Sequence, residues 1–167
     1  MFKPITAEEA RGDSTALDYD TLAALANYGE RVLADAVVRS KAALSDAVLA
    51  YAYAMAATPW GGVTISLATG RPIDRDSGYA VSTGGGVSMS FAASEDTFRD
   101  HVIRVASAAG HYVGVFHDDD KSTIDIDPVY VTDFELDAVA VAVARHSTGG
   151  VYDFSTGDAV WPPHLAK

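Results

Sequence analysis

The spacing of hydrophobic residues changes character partway along this chain. Between Asp20 and about Ala57 there is neither proline nor a glycine pair, and alanine, leucine and valine dominate, which favours helix. Leu22, Leu25, Gly29, Val32, Ala36, Ala43 and Tyr51 recur at close to three-four spacing, as one stripe of such a helix would. A continuous helix here would be about 55 Å long, more than the diameter of a small domain. It must fold back near Ser40, project, or pack against a second copy. The small residues and heptad-like rhythm predict a homo-oligomer joined through Leu22, Leu25, Val32, Leu33, Val37 and Leu44. The competing expectation is a helical hairpin that covers the domain's own sheet.

Beyond Pro59, Gly61 and Gly62 the period becomes two. Val63, Ile65 and Leu67 alternate with Thr64 and Ser66, and Val87, Met89 and Phe91 alternate with Ser88 and Ser90, the pattern of strands with one buried face. Ala68 to Pro72 reads as a turn, Tyr79 and Val81 as a second strand, and Thr83-Gly84-Gly85-Gly86 as a hairpin connection between the second and third strands. Ser94 should cap a helix whose buried stripe is Phe98, Val102, Val105 and Ala109, ended by Gly110. Strands are expected at about 111–116 and 122–131. Thr132-Asp133-Phe134-Glu135 has the capping-box pattern before a helix with Leu136, Val139, Ala140 and Val143 on one face. Val151 to Phe154 and Ala159 to Trp161 form a closing hairpin, and Pro162-Pro163 stops the sheet.

The expected fold class is therefore α+β: an N-terminal long helix or helical hairpin, then a mostly antiparallel sheet with two inserted helices in the order βββ-α-ββ-α-ββ. The segments are a flexible N-terminal stretch at 1–17, a helical segment at 18–58 and an α+β domain at 62–163.

Composition narrows the chemistry. The chain has 167 residues, 49% of them hydrophobic and 21% charged, enough to bury roughly two thirds of its unfolded surface. It has no cysteine, which excludes disulfides, thiolate metal ligands and cysteine nucleophiles. Its first residues lack a basic region followed by an apolar run, and its alanine-rich stretch is about half a bilayer span, so a cytoplasmic location without membrane contact is expected. The net charge of −11 repels phosphate backbones, which argues against nucleic-acid binding. An acidic surface can still dock on a basic protein, including a host protein that itself binds DNA.

Chemistry-bearing residues concentrate in GHYVGVFHDDDKSTIDIDPVYV, residues 110 to 131. On a strand Asp125 and Asp127 share a face with Thr123, about 7 Å apart, and could straddle a hard cation with His117 or His111 from a neighbouring strand. This predicts the rival function of a small metal-dependent hydrolase using Asp125, Asp127 and His117. The alternative needs no ligand: Asp118-Asp119-Asp120-Lys121 is a solvated hairpin tip, and Asp125 and Asp127 line the wet face of a sheet. Thr123 and Val129 stand where a calcium loop starting at Asp118 needs glycine and glutamate, so that motif fails. The glycines after Thr83 lack a following lysine and helix, which removes a phosphate cradle. Gly86-Val87-Ser88-Met89-Ser90 ends in serine where a hydrolase elbow needs glycine, and only the fold could bring His101 to Ser88. No catalytic residue, metal or other cofactor is therefore assigned. Tyr51, Tyr53 and Trp60 fall where the helical segment meets the sheet, as anchors or as part of a groove. Arg11-Gly12-Asp13 is read as a chance tripeptide.

Gly78-Tyr79-Ala80-Val81-Ser82, Gly110-His111-Tyr112-Val113-Gly114, Ile124-Asp125-Ile126 and Val151-Tyr152-Asp153 with Thr156-Gly157 resemble a group of small uncharacterised proteins and modules encoded by actinobacterial phages and plasmids. In that group a GYxV strand precedes a helix, a GHYxGxW strand, an aspartate-rich hairpin, a capped helix and a closing YD...TG hairpin. The resemblance spans residues 62–163, with Phe116 where tryptophan is common. It implies a mobile-element setting and no known reaction. The function expected is a non-enzymatic accessory protein of an actinobacterial phage or mobile element that acts through protein contacts. The alternatives are the metal-dependent hydrolase and an acidic decoy for a DNA-binding host factor.

Overall fold

A computed structural model describes residues 18–147 and 150–160, and these form four helices and eight strands of an α+β fold. In chain order they are α1 (Tyr19–Ala36), α2 (Asp46–Ala56), β1 (Gly62–Ser66), β2 (Arg71–Pro72), β3 (Tyr79–Ser82), β4 (Val87–Ser90), α3 (Glu95–Ala108), β5 (Tyr112–Asp118), β6 (Thr123–Thr132), α4 (Glu135–Ala144), β7 (Val151–Asp153) and β8 (Asp158–Val160). The expected N-terminal stretch 1–17 and the stop at Pro162-Pro163 lie outside the described residues. The chain divides into two compact units, one built from described residues of 18–36, 75–83 and 130–160 and the other from 37–74 and 84–129.

In the first unit α1 packs on α4, and the end of β6 is followed in strand order by β3, β7 and β8. Val81 lies opposite Val151 and Tyr79 opposite Asp153 in the antiparallel β3–β7 pair. The core joins Leu25 and Leu33 of α1 to Val81, Tyr130, Val151 and the run Ala138 to Val143. That run is buried on every side, so α4 has no polar face there, unlike the one-sided helix its sequence suggests. The physical reason is a close helix crossing. A Cβ on Gly29 would sit 2.3 Å from the Ala140 carbonyl oxygen, so only glycine lets α1 and α4 meet backbone to backbone. At the edges of this contact Tyr28 donates its hydroxyl hydrogen to Asp137 Oδ1 at 2.6 Å, and Arg145 pairs with Glu30 at 2.9 Å.

In the second unit the strands run β2-β1-β5-β6, and β4 lies on the far side of β6 from β5, all antiparallel. Leu49, Ala52 and Ala56 of α2 and Phe98, Val102, Val105 and Ala106 of α3 form one core with Ile65, Met89, Val113, Val115, Ile124 and Ile126. Ser45 caps α2 by accepting from the Val48 N–H, and Ser94 caps α3 by accepting from the Thr97 N–H, as its sequence predicts. Lys41 reaches the other end of α3 and donates to the carbonyls of Ala106 and Ser107, where the helix dipole is negative. Arg99 links the first turns of the two helices by pairing with both Glu95 and Asp46.

Four local expectations are corrected. The helical segment is interrupted between Ala36 and Asp46, around Ser40, and α1 and α2 belong to different units, so it is not one continuous helix. The backbone leaves the helical pattern because Val38 N–H bonds the Gly110 carbonyl and Ala42 N–H bonds the Leu67 carbonyl. The turn at 68–72 contains β2: Gly70, at φ 65°, reverses the chain so that Pro72 faces Ile65, which makes the order ββββ-α-ββ-α-ββ. Gly84 to Gly86 is not a hairpin, because β3 pairs with β7 while β4 pairs with β6. The capping box at Thr132 does not form; α4 begins at Glu135, and Thr132 Oγ1 instead accepts the Phe134 N–H.

Two measurements test the α1–α4 contact of the first unit. Gly29→Val should lower stability by about 2–3 kcal/mol, seen as a lower urea midpoint, because the crossing must open to admit the side chain. The Tyr28 hydroxyl is pushed up to about 12 from 10.0, chiefly by its hydrogen bond to Asp137 and then by desolvation. Because folding favours the protonated phenol, this contribution is whole below pH 10.0 and is lost as pH rises toward about 12. Tyr28→Phe should remove that part of the alkaline dependence in denaturation curves.

Candidate functional site

The pairing of β5 with β6 sets His117 opposite Ile124, Phe116 opposite Asp125 and Gly114 opposite Asp127. Strand alternation then sends His117 to the helix-covered face and Phe116, Asp125 and Asp127 to the other. Asp125 and Asp127 do share a face with Thr123, as alternation predicts, but His117 points the opposite way. The three proposed ligands of a hydrolase are not brought together. His111 is buried just before β5. Among the described residues no three histidine, aspartate or glutamate side chains are grouped to hold a metal ion.

His117 instead joins three loops at one end of the second unit. Its Nδ1 lies 2.8 Å from the Ala56 carbonyl oxygen, which only accepts, so Nδ1 carries the hydrogen. Its Nε2 lies 3.1 Å from Asp119 Oδ1. Its backbone N–H donates to the Gly61 carbonyl at 2.8 Å, and its ring packs tilted against Phe91, with centroids 4.8 Å apart. The imidazole thus holds the α2–β1 loop, the β4–α3 loop and the β5–β6 hairpin together. With an oxygen of the same chain beside each nitrogen, the imidazole is turned inward as a link between the loops.

The hairpin itself is polar and acidic. Lys121 pairs with Asp118 at 2.6 Å, and this hydrogen bond holds the Asp118 carboxyl below the usual carboxylate range. Asp119 Oδ2 is buried with no hydrogen-bond partner among the described residues. Asp120 is exposed. On the adjoining sheet face Ser88 Oγ donates to Asp125 Oδ1 at 2.5 Å and Thr123 Oγ1 approaches the same oxygen at 3.4 Å. Ser88 therefore serves a carboxylate and faces no histidine. His101 Nδ1 meets Arg104 at 3.0 Å on α3.

Around these loops large aromatics meet solvent: Trp60 is 60% exposed, Phe116 43% and Phe91 42%. Trp60 and Ser122 adopt positive φ, 55° and 54°, two of the three described non-glycine residues to do so. Left-handed backbone at such residues costs about 1–3 kcal/mol and collects at functional positions. Of the expected anchoring aromatics only Tyr53 is packed, tilted against Phe98 at 5.2 Å; Tyr51 and Trp60 face water. One signal for Phe116 was readable: on its own strand it falls out of step with Val113 and Val115, the apolar side of the alternation.

The residues expected to join two copies are placed differently. Leu25 and Leu33 are buried in the first unit's core, with Leu22 and Val32 packed beside them, and Leu44 packs on the second unit's core. Val37 is 52% exposed. Along α1, then, the stripe that suggested self-association faces α4 of the same chain. No helix among the described residues is long and apolar enough to cross a membrane.

His117→Leu should destabilise the second unit by about 2–4 kcal/mol, because the Ala56 carbonyl and Asp119 lose their shared partner. Equilibrium denaturation followed by the exposed tryptophan signal measures this, and an unchanged midpoint would remove the imidazole from its linking role.

Comparison with models of known protein families, with curated proteins and with solved structures gives no match to this chain.

Proposed function

We propose that this chain is a non-enzymatic accessory protein that acts by binding another protein, in the mobile-element setting its sequence resemblance implies. The observation that carries this reading is the exposure of Trp60, Phe91 and Phe116 at the end of the second unit where His117 ties the loops together. Water-exposed tryptophan and phenylalanine held on a braced frame are what a protein interface uses as anchors, since their burial releases the most apolar area for the least ordering. His117 supports the same reading, because its contacts brace the loops. The expectation of contact through the helical segment gives way to contact through these loops, because the α1 side chains are occupied by α4.

Tagged chain recovered from cells that natively carry it should retain a stoichiometric protein partner. The double variant Trp60→Gly/Phe116→Ala should keep its melting temperature and lose about tenfold or more of that partner. Recovery of the chain alone, or equal retention by the double variant, would sink the reading.

A further inference from the structure

We infer that the Phe116–Asp125 pair is an arginine-binding position, and that the partner docking on the loop cluster presents a basic, arginine-bearing segment. This deepens the protein-binding reading above and rests on it.

The two residues face each other directly across β5 and β6, on the sheet face that α2 and α3 leave uncovered. Opposed residues of an antiparallel pair stand about 5 Å apart at the backbone, so the ring and the carboxylate rise from adjacent positions on one face, the ring reaching over Gly62 of β1 and the carboxylate held by Ser88 of β4. A guanidinium group matches both at once: it stacks on the ring and points its planar fork of N–H groups at the oxygens. Both described hydrogen bonds to Asp125, from Ser88 and Thr123, reach Oδ1, so Oδ2 remains for a donor from outside. The same two bonds fix the carboxylate's orientation before any partner arrives.

The surrounding charge has the matching sign. Asp118, Asp119, Asp120 and Asp125 stand near the hairpin, and its one lysine, Lys121, pairs with Asp118 and is also attracted by Asp125, leaving the cluster negative. Trp60, on the loop that His117 ties to β5, offers a second aromatic surface at the same end. A lysine would gain the charge attraction alone, so the surface should prefer arginine over lysine.

The test uses the full chain with two blocked peptides, one of four arginines separated by glycines and its lysine counterpart, and follows binding by calorimetry. The arginine peptide should bind several-fold more tightly, and its affinity should fall steeply between about 50 and 300 mM salt. Asp125→Asn and Phe116→Ala should each weaken it by about fivefold or more, whereas Asp35→Asn, the same charge change on the exposed surface of α1, should leave it within about twofold. Trp60→Gly, a substitution that suits the positive φ, should weaken it while preserving the fold.

Equal binding of the two peptides, equal effects of Asp125→Asn and Asp35→Asn, or no binding at millimolar peptide would each overturn the inference. If the native partner is still lost on changing Trp60 and Phe116, only the arginine assignment falls. If that capture is also indifferent to the loops, the protein-binding reading falls with it.

Discussion

The register of β5 against β6 is the constraint on which the second unit depends. With His117 opposite Ile124, the side chains of Val113, Val115, Ile124 and Ile126 form one continuous apolar surface for α2 and α3, and Phe116, Asp125 and Asp127 fall on the reverse. A slip of one residue would turn aspartates toward Leu49 and Phe98 and valines toward water. Many apolar side chains therefore enforce a single register. The placement of the polar and aromatic residues on the open face follows from it.

The same register delivers one imidazole to the buried side, at the end of the sheet where α2 stops. A neutral apolar residue there would leave the Ala56 carbonyl without a donor; histidine supplies one, sets Nε2 beside Asp119 and packs tilted against Phe91 as well. Local packing and surface function meet in this residue. By bracing three loops it keeps Trp60 and Phe116 on a frame that loses little freedom when a partner arrives. Left-handed backbone at Trp60 and Ser122 shows that the surrounding contacts outweigh the local preference of both residues.

The first unit rests on a different device. Its α4 buries alanine and valine all round, and it can do so because Gly29 admits the Ala140 backbone. Small residues on the α1 stripe suggested contact between two helices, and that contact exists, within the chain. Whether a stripe of leucines and glycine meets its own chain or a second copy depends on what else is apolar nearby. Here the run of buried residues in α4 is the complement.

Sequence alone determined the α+β class, most of the strands, the Ser94 cap with its Phe98-Val102-Val105 stripe, and the common face of Asp125 and Asp127. Each of these follows from side-chain period and local hydrogen bonding over a few residues, which are properties of a short stretch of chain. The tertiary structure decided what depends on distant partners: that β4 pairs with β6 while β3 pairs with β7, that the helical segment breaks where Val38 and Ala42 bond remote carbonyls, and that His117 faces Ala56 while Asp125 faces the other way. A period shows which residues share a face. It does not show which face a helix will cover, nor which exposed aromatic the neighbouring strands will leave in water.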